Sequence, residues 1–132
     1  MLRIIEAVIT AVGGVLGYVL GGFDGMLQAL LVLVVIDYIT GVLCAVSKHE
    51  LSSSVGFLGI SRKVLIFALV GVANIVDIQI ISKGSALRTA TIFFYMANEA
   101  ISIIENAGIL GLPLPKKLIA VLEQLKNDGK ED

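Results

Sequence analysis

The sequence has few of the residues from which most active sites are built. Its 132 residues include one cysteine, one histidine and no tryptophan, and only 16% are charged. The lone cysteine, Cys44, excludes an intrachain disulfide, and the lone histidine, His49, leaves no metal ligands at ligand spacing. No nucleophile stands beside a base, and no glycine loop could cradle a phosphate. We therefore predict no enzyme, with no catalytic residue, no metal and no cofactor.

Charge is not only scarce but nearly balanced. The net charge is -1, 57% of the residues are hydrophobic, and the mean hydropathy is +0.96. Soluble domains carry roughly a quarter charged residues, so this chain has too little polar surface to cover a soluble core. A basic surface for nucleic acid is also lacking. The composition predicts an all-α integral membrane protein whose partner is the lipid bilayer and which binds no nucleic acid.

Four apolar segments alternate with short polar connections. A helix of about 20 apolar residues crosses the hydrocarbon core of a bilayer. The segments cover residues 4–20, 26–46, 64–81 and 87–110, and the connections cover residues 21–25, 47–63 and 82–85. Charged and amide side chains interrupt the fourth segment, for example Arg88 and Asn98. The sequence thus allows four membrane spans, or three spans with the fourth helix at the interface.

The composition changes after the Gly-Leu-Pro-Leu-Pro stretch at residues 111–115. Apolar residues then recur at helical spacing with polar residues between them, which is typical of an amphipathic helix. The apolar positions are Leu114, Leu118, Val121, Leu122 and Leu125. We predict a transmembrane helical domain over residues 1–112, followed by a cytoplasmic amphipathic helix and a short charged tail over residues 113–132.

Lysine and arginine predict the orientation, because cytoplasmic loops of membrane proteins are enriched in them. Lys48, Arg62 and Lys63 define a basic loop between the second and third segments. Four more lysines follow residue 115, whereas the connection at residues 21–25 carries only an aspartate. Both termini are therefore expected in the cytoplasm, and in the four-span arrangement Lys83 and Arg88 are exceptions to this pattern.

Three glycines line one face of the first segment. Gly13, Gly17 and Gly21 are spaced by four residues, and Thr10 and Glu6 continue the same face. Small residues at this spacing let two helices approach closely in lipid. The pattern indicates a helix-packing face, although glycine is also common in membrane helices without such a role.

Polar residues also lie deep within the apolar segments. At 1.5 Å per residue, Asp37 lies roughly 14 Å from the cytoplasmic end of its segment and Asn74 roughly 16 Å from the start of the third. Glu99 reaches a similar depth if the fourth segment spans. Such residues line water or hold a bundle together through hydrogen bonds, for example from Asp37 to Asn74 and from Asp77 to Arg88. The candidates for these two roles are Asp37, Thr40, Asn74, Asp77, Asn98, Glu99, Ser102 and Glu105.

An ordered set of short motifs runs from about residue 32 to residue 125. The motifs are DYITG at 37–41, LSS at 51–53 with Gly56, Gly59 and Arg62-Lys63, Asp77, YMANE at 95–99, ISI at 101–103, Glu105-Asn106 and GLPLP at 111–115. In this order they resemble the toxin secretion/phage lysis holins. The region before residue 32 carries little of the resemblance.

The resemblance implies a small protein of the bacterial cytoplasmic (inner) membrane, with several membrane-crossing segments. Proteins of this family accumulate, form homo-oligomers and open lesions that release a bacteriophage endolysin in host cell lysis or, in clostridia, large toxins by toxin secretion. The alternative is a small ion channel or transporter with a titrating intramembrane carboxylate, and a passive membrane scaffold is a third possibility. Leakage of large dyes separates these functions, because only lesions of the first kind pass molecules far larger than ions.

Overall fold

The computed structural model describes residues 1–131, without the side chains of residues 125, 126 and 128–131. Within this range the protein is all-α and contains no strand, which confirms the predicted fold class. The helices are α1 (Leu2–Leu20), α2 (Gly25–Ser47), α3 (Ser53–Val76), α4 (Ala86–Ile109) and α5 (Lys116–Glu131). A π-helical turn, Asp77–Ile81, continues α3.

Helices α2, α3 and α4 form the bundle. Its apolar core is Leu27, Leu30, Val34, Ile66, Val70 and Ile92, all at most 8% exposed. Contacts between Asp24 and Arg88 at one end and between Cys44 and Asn106 at the other make α2 and α4 parallel. Helix α3 runs the opposite way, because its early residue Gly56 lies beside Tyr38 in the second half of α2.

Helix α1 touches the bundle only near its C-terminal end. None of its residues is buried. Val19 lies so close to α3 that a methyl group on Gly71 would come within 3.1 Å of Val19 Cγ1. Gly17, Val19 and Leu20 are half-buried, and the other residues of α1 are exposed.

The start of α3 differs from the prediction. The connection was expected to cover residues 47–63, but α3 already begins at Ser53. The Ser52 side chain accepts a hydrogen bond from the backbone N–H of Val55 at 3.2 Å, which is an N-terminal cap. Arg62 and Lys63 are therefore helical residues rather than loop residues.

Three helical segments are long and apolar enough to cross a membrane, namely α1, α2 and α3 with its π-helical turn. Helix α4 is not among them, but its 24 residues extend about 36 Å, which exceeds the roughly 30 Å of the hydrocarbon core. It also lies parallel to α2 between the two end contacts described above. This arrangement favours four crossing segments over an interfacial fourth helix.

The connection between α4 and α5 contacts the end of α4, and the first turns of α5 lie beside it across a cavity. A methyl group on Gly108 would lie 3.2 Å from Leu114 Cδ1, and Ile119 and Leu122 line a cavity with Ile104. The side chains of Leu125 and Lys126 lie outside the described residues. The division into domains at residues 112 and 113 stays a prediction.

Candidate functional site

A cluster of charged side chains lies inside the bundle, with one member from each of its three helices. Lys63 of α3 donates hydrogen bonds to both carboxylate oxygens of Glu99 of α4, at 2.9 and 2.7 Å. It also donates to the carboxylate of Asp37 of α2. Asp37 is 6% exposed and Glu99 is 4% exposed. We call Asp37, Lys63 and Glu99 the charged cluster.

Helical spacing explains why these side chains meet. On α2 the buried residues Leu30, Val34, Asp37 and Cys44 follow a helical period, so Asp37 points into the core with its apolar neighbours. Lys63 lies one turn before Ile66 on the core face of α3. The charged cluster is thus part of the same interface that forms the apolar core.

Further hydrogen bonds compensate the burial of these charges. Asn106 donates to Asp37 Oδ1 at 3.2 Å and to Thr40 Oγ1 at 2.9 Å. Removing a charge from water costs several kcal/mol unless partners replace the lost hydration. Among the described residues, no buried side-chain nitrogen or oxygen lacks a partner. The cluster is therefore internally satisfied, with two carboxylates facing one ammonium.

A cavity of about 230 Å³ adjoins the charged cluster on the side of the α2–α3 connection. Asp37, Lys63, Ser102 and Asn106 form its polar wall. Tyr38 forms part of another wall and packs against α3, where a methyl group on Gly59 would lie 3.4 Å from Tyr38 Cε2. The cavity thus places a partly polar space beside the charged cluster, at the end of the bundle where α2 ends and α3 begins.

A second polar group, which we call the Arg88 junction, fastens α1 to the opposite end of the bundle. Arg88 is 4% exposed, and its guanidinium donates to the carbonyls of Leu20 at 2.6 Å and Gly22 at 3.0 Å. It also donates to Asp24 Oδ2 at 2.9 Å. The last carbonyls of a helix have no partner within that helix. Arg88 therefore completes the C-terminal end of α1 from a distant part of the chain.

The other members of the Arg88 junction bind backbone groups. Asp77 accepts hydrogen bonds from the backbone N–H groups of Leu87 at 3.1 Å and Arg88 at 2.8 Å, at the start of α4. Asn74 donates to the carbonyl of Val19 at 2.9 Å. The Arg88 guanidinium donates hydrogen bonds to Asp24 and, together with the backbone N–H of Leu27, holds the pKa of that carboxyl below its usual value.

Of the two predicted hydrogen bonds, the one between Asp37 and Asn74 is wrong and the one between Asp77 and Arg88 is confirmed. Asn74 does not bind Asp37, because it lies eleven residues after Lys63 on α3, about 16 Å further along the helix. The expectation that Asn74 shares a depth with Asp37 and Glu99 is wrong for the same reason. Asp77 meets Arg88 through the backbone N–H, while the Arg88 side chain pairs with Asp24.

The remaining candidates are distributed between these places and the surface. Thr40 and Ser102 lie at the charged cluster and its cavity. Asn98 and Glu105 are exposed on α4. Gly13 and Gly17 have no atom within 4 Å of an added methyl group, so their face is open in a single chain. Lys48 lies in the exposed connection after α2.

Sequence reasoning missed the role of Lys63 as the partner of both carboxylates. The signal was present in Ser52, a residue type that favours helix N-termini. A helix that starts there places Lys63 four residues after Gly59 and three before Ile66, on the buried face. Because Arg62 and Lys63 were assigned to a loop, the buried position of Lys63 was not predicted.

The chain was compared with protein families and with individual proteins. The model of the bacteriophage holin family matches residues 14–127. An uncharacterized protein of Halalkalibacterium halodurans is 42% identical over 115 residues, covering 84% of this chain and 85% of its own length. An uncharacterized protein of Listeria innocua is 39% identical over 131 residues, covering 97% of this chain and 93% of its own.

A third relative is an uncharacterized 14.9 kDa protein in the nagH 3′ region of Clostridium perfringens. It is 39% identical over 120 residues and covers 90% of both chains. No solved structure matches this chain.

Proposed function

Because the chain belongs to the bacteriophage holin family, we propose that it self-associates in the bacterial cytoplasmic membrane and opens lesions that release an endolysin or a large toxin. The family match confirms the resemblance read from the sequence, and the three candidate spans make the protein a multi-pass membrane protein. No enzymatic step and no cofactor enter the proposal.

The observation that carries the proposal is the charged cluster inside the bundle. A single subunit keeps Asp37, Lys63 and Glu99 paired within its interior, while most large apolar side chains face outward. Such a subunit can accumulate in lipid without exposing these three charges to it. Above a threshold density, the helices repack and turn the charged cluster toward an opening shared between subunits.

Solvation gives this repacking a driving force. Burial costs each ion several kcal/mol of hydration free energy, which the ion pair must compensate. In water, an exposed ion pair contributes only about 0–1 kcal/mol, so losing the pair costs little once water is present. Hydration of three charged side chains therefore stabilises the open arrangement, and a first opening favours its own enlargement.

Reconstitution with two sizes of cargo tests the proposal. Vesicles are loaded with a small dye and with a folded protein of enzyme size, and the protein-to-lipid ratio is raised stepwise. We expect both cargoes to escape together above a threshold ratio. Release of the small dye or of ions alone would support the channel or transporter alternative, and no release at any ratio would indicate a scaffold.

Neutralising the charged cluster tests its role. In the triple variant Asp37→Asn, Glu99→Gln, Lys63→Met, no buried charge loses its partner, so the helices should still insert and assemble. Without charges to hydrate, we expect cargo release to be delayed or abolished.

The matched control neutralises exposed charges in the connection after α2, by Lys48→Gln with Glu50→Gln, and should release cargo like the wild type. If the triple variant also releases cargo at the wild-type threshold, the charged cluster only holds the helices together and does not drive opening.

A further inference from the structure

Helix α1 presents a face that nothing in its own chain covers. Glu6, Thr10, Gly13 and Gly17 fall on this face, within an arc of about 60° at 100° per residue. Val19, which contacts α3, lies about 160° around the helix from Gly17. Leu20 and Gly21 also contact the bundle, from positions next to the Glu6 face, so this face is open only from Glu6 to Gly17.

Two opposite charges on the candidate spans lack partners. Glu6 on α1 and Arg62 on α3 are both exposed. Neither forms an ion pair or a hydrogen bond with any side chain that the structure describes. If a neighbouring helix covers either residue, its charge is buried, and a buried charge without a partner is costly. Each of these residues therefore favours a partner of opposite charge.

A groove between α3 and α4 lies further along α3 than Arg62, on the same side of that helix. It has a volume of about 480 Å³ and a mostly apolar lining. Leu69 and Ala73, seven and eleven residues after Arg62, fall within about 20° of it around the helix. The lining is Leu69, Val72, Ala73, Val76, Leu87, Ala90, Thr91, Phe94 and Tyr95.

The spacing of α1 matches the spacing of this groove. Gly13 and Gly17 also follow Glu6 by seven and eleven residues. Helices α1 and α3 cross the membrane in the same direction, because Val19 near the end of α1 lies beside Gly71 in the second half of α3. When α1 is aligned parallel to α3, a single register places Glu6 beside Arg62 and also places Gly13 and Gly17 at the groove.

The two surfaces cannot meet within one chain. Gly71, where α1 docks on its own α3, lies nine residues after Arg62 and hence on the opposite side of that helix. We propose that α1 of one subunit docks in the α3–α4 groove of a second copy of this chain, with its Glu6 paired to Arg62 of that copy. The inference rests on the self-association in the proposed function and names the surfaces that carry it.

This interface joins two different surfaces, so each subunit offers a helix to one neighbour and a groove to another. Such heterologous contacts close into rings or continue as open filaments. Where the contacts do not close, the assembly has no fixed subunit number and can grow with the density of subunits in the membrane.

Charge reversal tests the pairing. Glu6→Arg alone and Arg62→Glu alone should each lose the oligomers detected by chemical cross-linking in membranes. The double variant in one chain should regain them. Co-expression of the two single variants should also regain them, because alternating subunits then form only opposite-charge pairs. Recovery by the double variant without recovery on co-expression would place the pair within one chain and overturn the proposal, as would wild-type oligomers in both single variants.

A second pair of variants guards against misfolding. Gly13→Leu with Gly17→Leu adds bulk where the chain itself leaves open space, so helicity and insertion should be unchanged while oligomers are lost. Ala11→Leu, about 140° around the helix from Glu6, is the matched control and should assemble normally. Oligomers of wild-type size in the double leucine variant would contradict the interface.

The same variants separate this inference from the proposed function. Oligomers that follow the pairing rule but release no cargo would uphold the interface and refute the lesion function. Cargo release by both single charge variants at the wild-type threshold would refute the interface and leave the lesion function standing.

Discussion

Gly21 ends α1 in a backbone conformation that other residues rarely adopt. Its φ is 84°, and an added methyl group would lie 2.5 Å from Asn74 Oδ1 and 2.7 Å from Arg88 Nε. The sequence grouped Gly21 with Gly13 and Gly17 by spacing. The structure instead makes it the helix cap around which the Arg88 junction closes.

We expect Gly21→Ala to destabilise the protein. The left-handed conformation costs a non-glycine residue about 1–3 kcal/mol, and the methyl group displaces the Arg88 side chain as well. The loss should appear as a lower midpoint in thermal unfolding of the detergent-solubilised protein. Gly25→Ala is the matched control, since it lies in the first turn of α2 with no atom within 4 Å of its methyl group. Equal midpoints for the two variants would contradict this account.

Asp24 gives the Arg88 junction a pH dependence. Its folded-state pKa lies below the ordinary value of 3.8, first through the hydrogen bond from Arg88 and then through that from Leu27. A depressed pKa contributes stability that is complete above the unfolded-state pKa and is lost as the pH falls through the folded-state pKa. The contribution is small, because half of the Asp24 side chain is exposed.

At pH values below 3.8, we therefore expect the thermal unfolding midpoint of the wild type to decrease more than that of Asp24→Asn. The two proteins should show parallel pH profiles above pH 5. A constant difference between them down to pH 2 would show that ionisation of Asp24 does not stabilise the junction.

At the scale of the elements, α2 and α5 could be predicted closely and α3 could not. An apolar run marks α2 clearly, and the Asp24 side chain caps its first turn. For α3, hydropathy alone placed the start after Lys63, eleven residues too late. Hydropathy marks where a helix enters lipid, whereas the Ser52 cap marks where the helix begins.

The fourth helix shows why composition alone could not choose between three and four spans. Three charged residues lower its hydropathy, and two of them, Arg88 and Glu99, are buried against partners on other elements. A buried and paired charge does not meet lipid, so it does not prevent crossing. Such partners lie up to 68 positions away in the chain. The hydropathy of neighbouring residues therefore cannot reveal them.

We expect α4 to cross the membrane, which places both termini in the cytoplasm. Fusions of a reporter active only in the cytoplasm, one at each terminus, should both be active. A fusion in the connection at residues 82–85 should be inactive and serves as the matched control. An active amino-terminal fusion with an inactive carboxyl-terminal fusion would support three spans.

At the scale of the whole molecule, the all-α membrane fold followed from composition, and the family followed from the order of short motifs. The charged cluster and the Arg88 junction could not be predicted in this way. The position of a residue along its helix gives its depth in the membrane but does not tell which side chain lies beside it. Asp37 and Asn74 were placed at one level from their distances to the segment ends. Because α3 was assigned a start that is too late, the depth of Asn74 was counted from the wrong residue. Asp37 and Asn74 were therefore placed together, although the fold separates them.

The attachment of α1 has a consequence for the time course of synthesis. Its C-terminal carbonyls are capped by a residue that lies 68 positions later. At 5–20 residues per second, this residue leaves the ribosome roughly 3 to 14 s after the carbonyl it binds. During that interval α1 is inserted, but the Arg88 junction cannot close. The first helix to be made is thus among the last to be fixed in place.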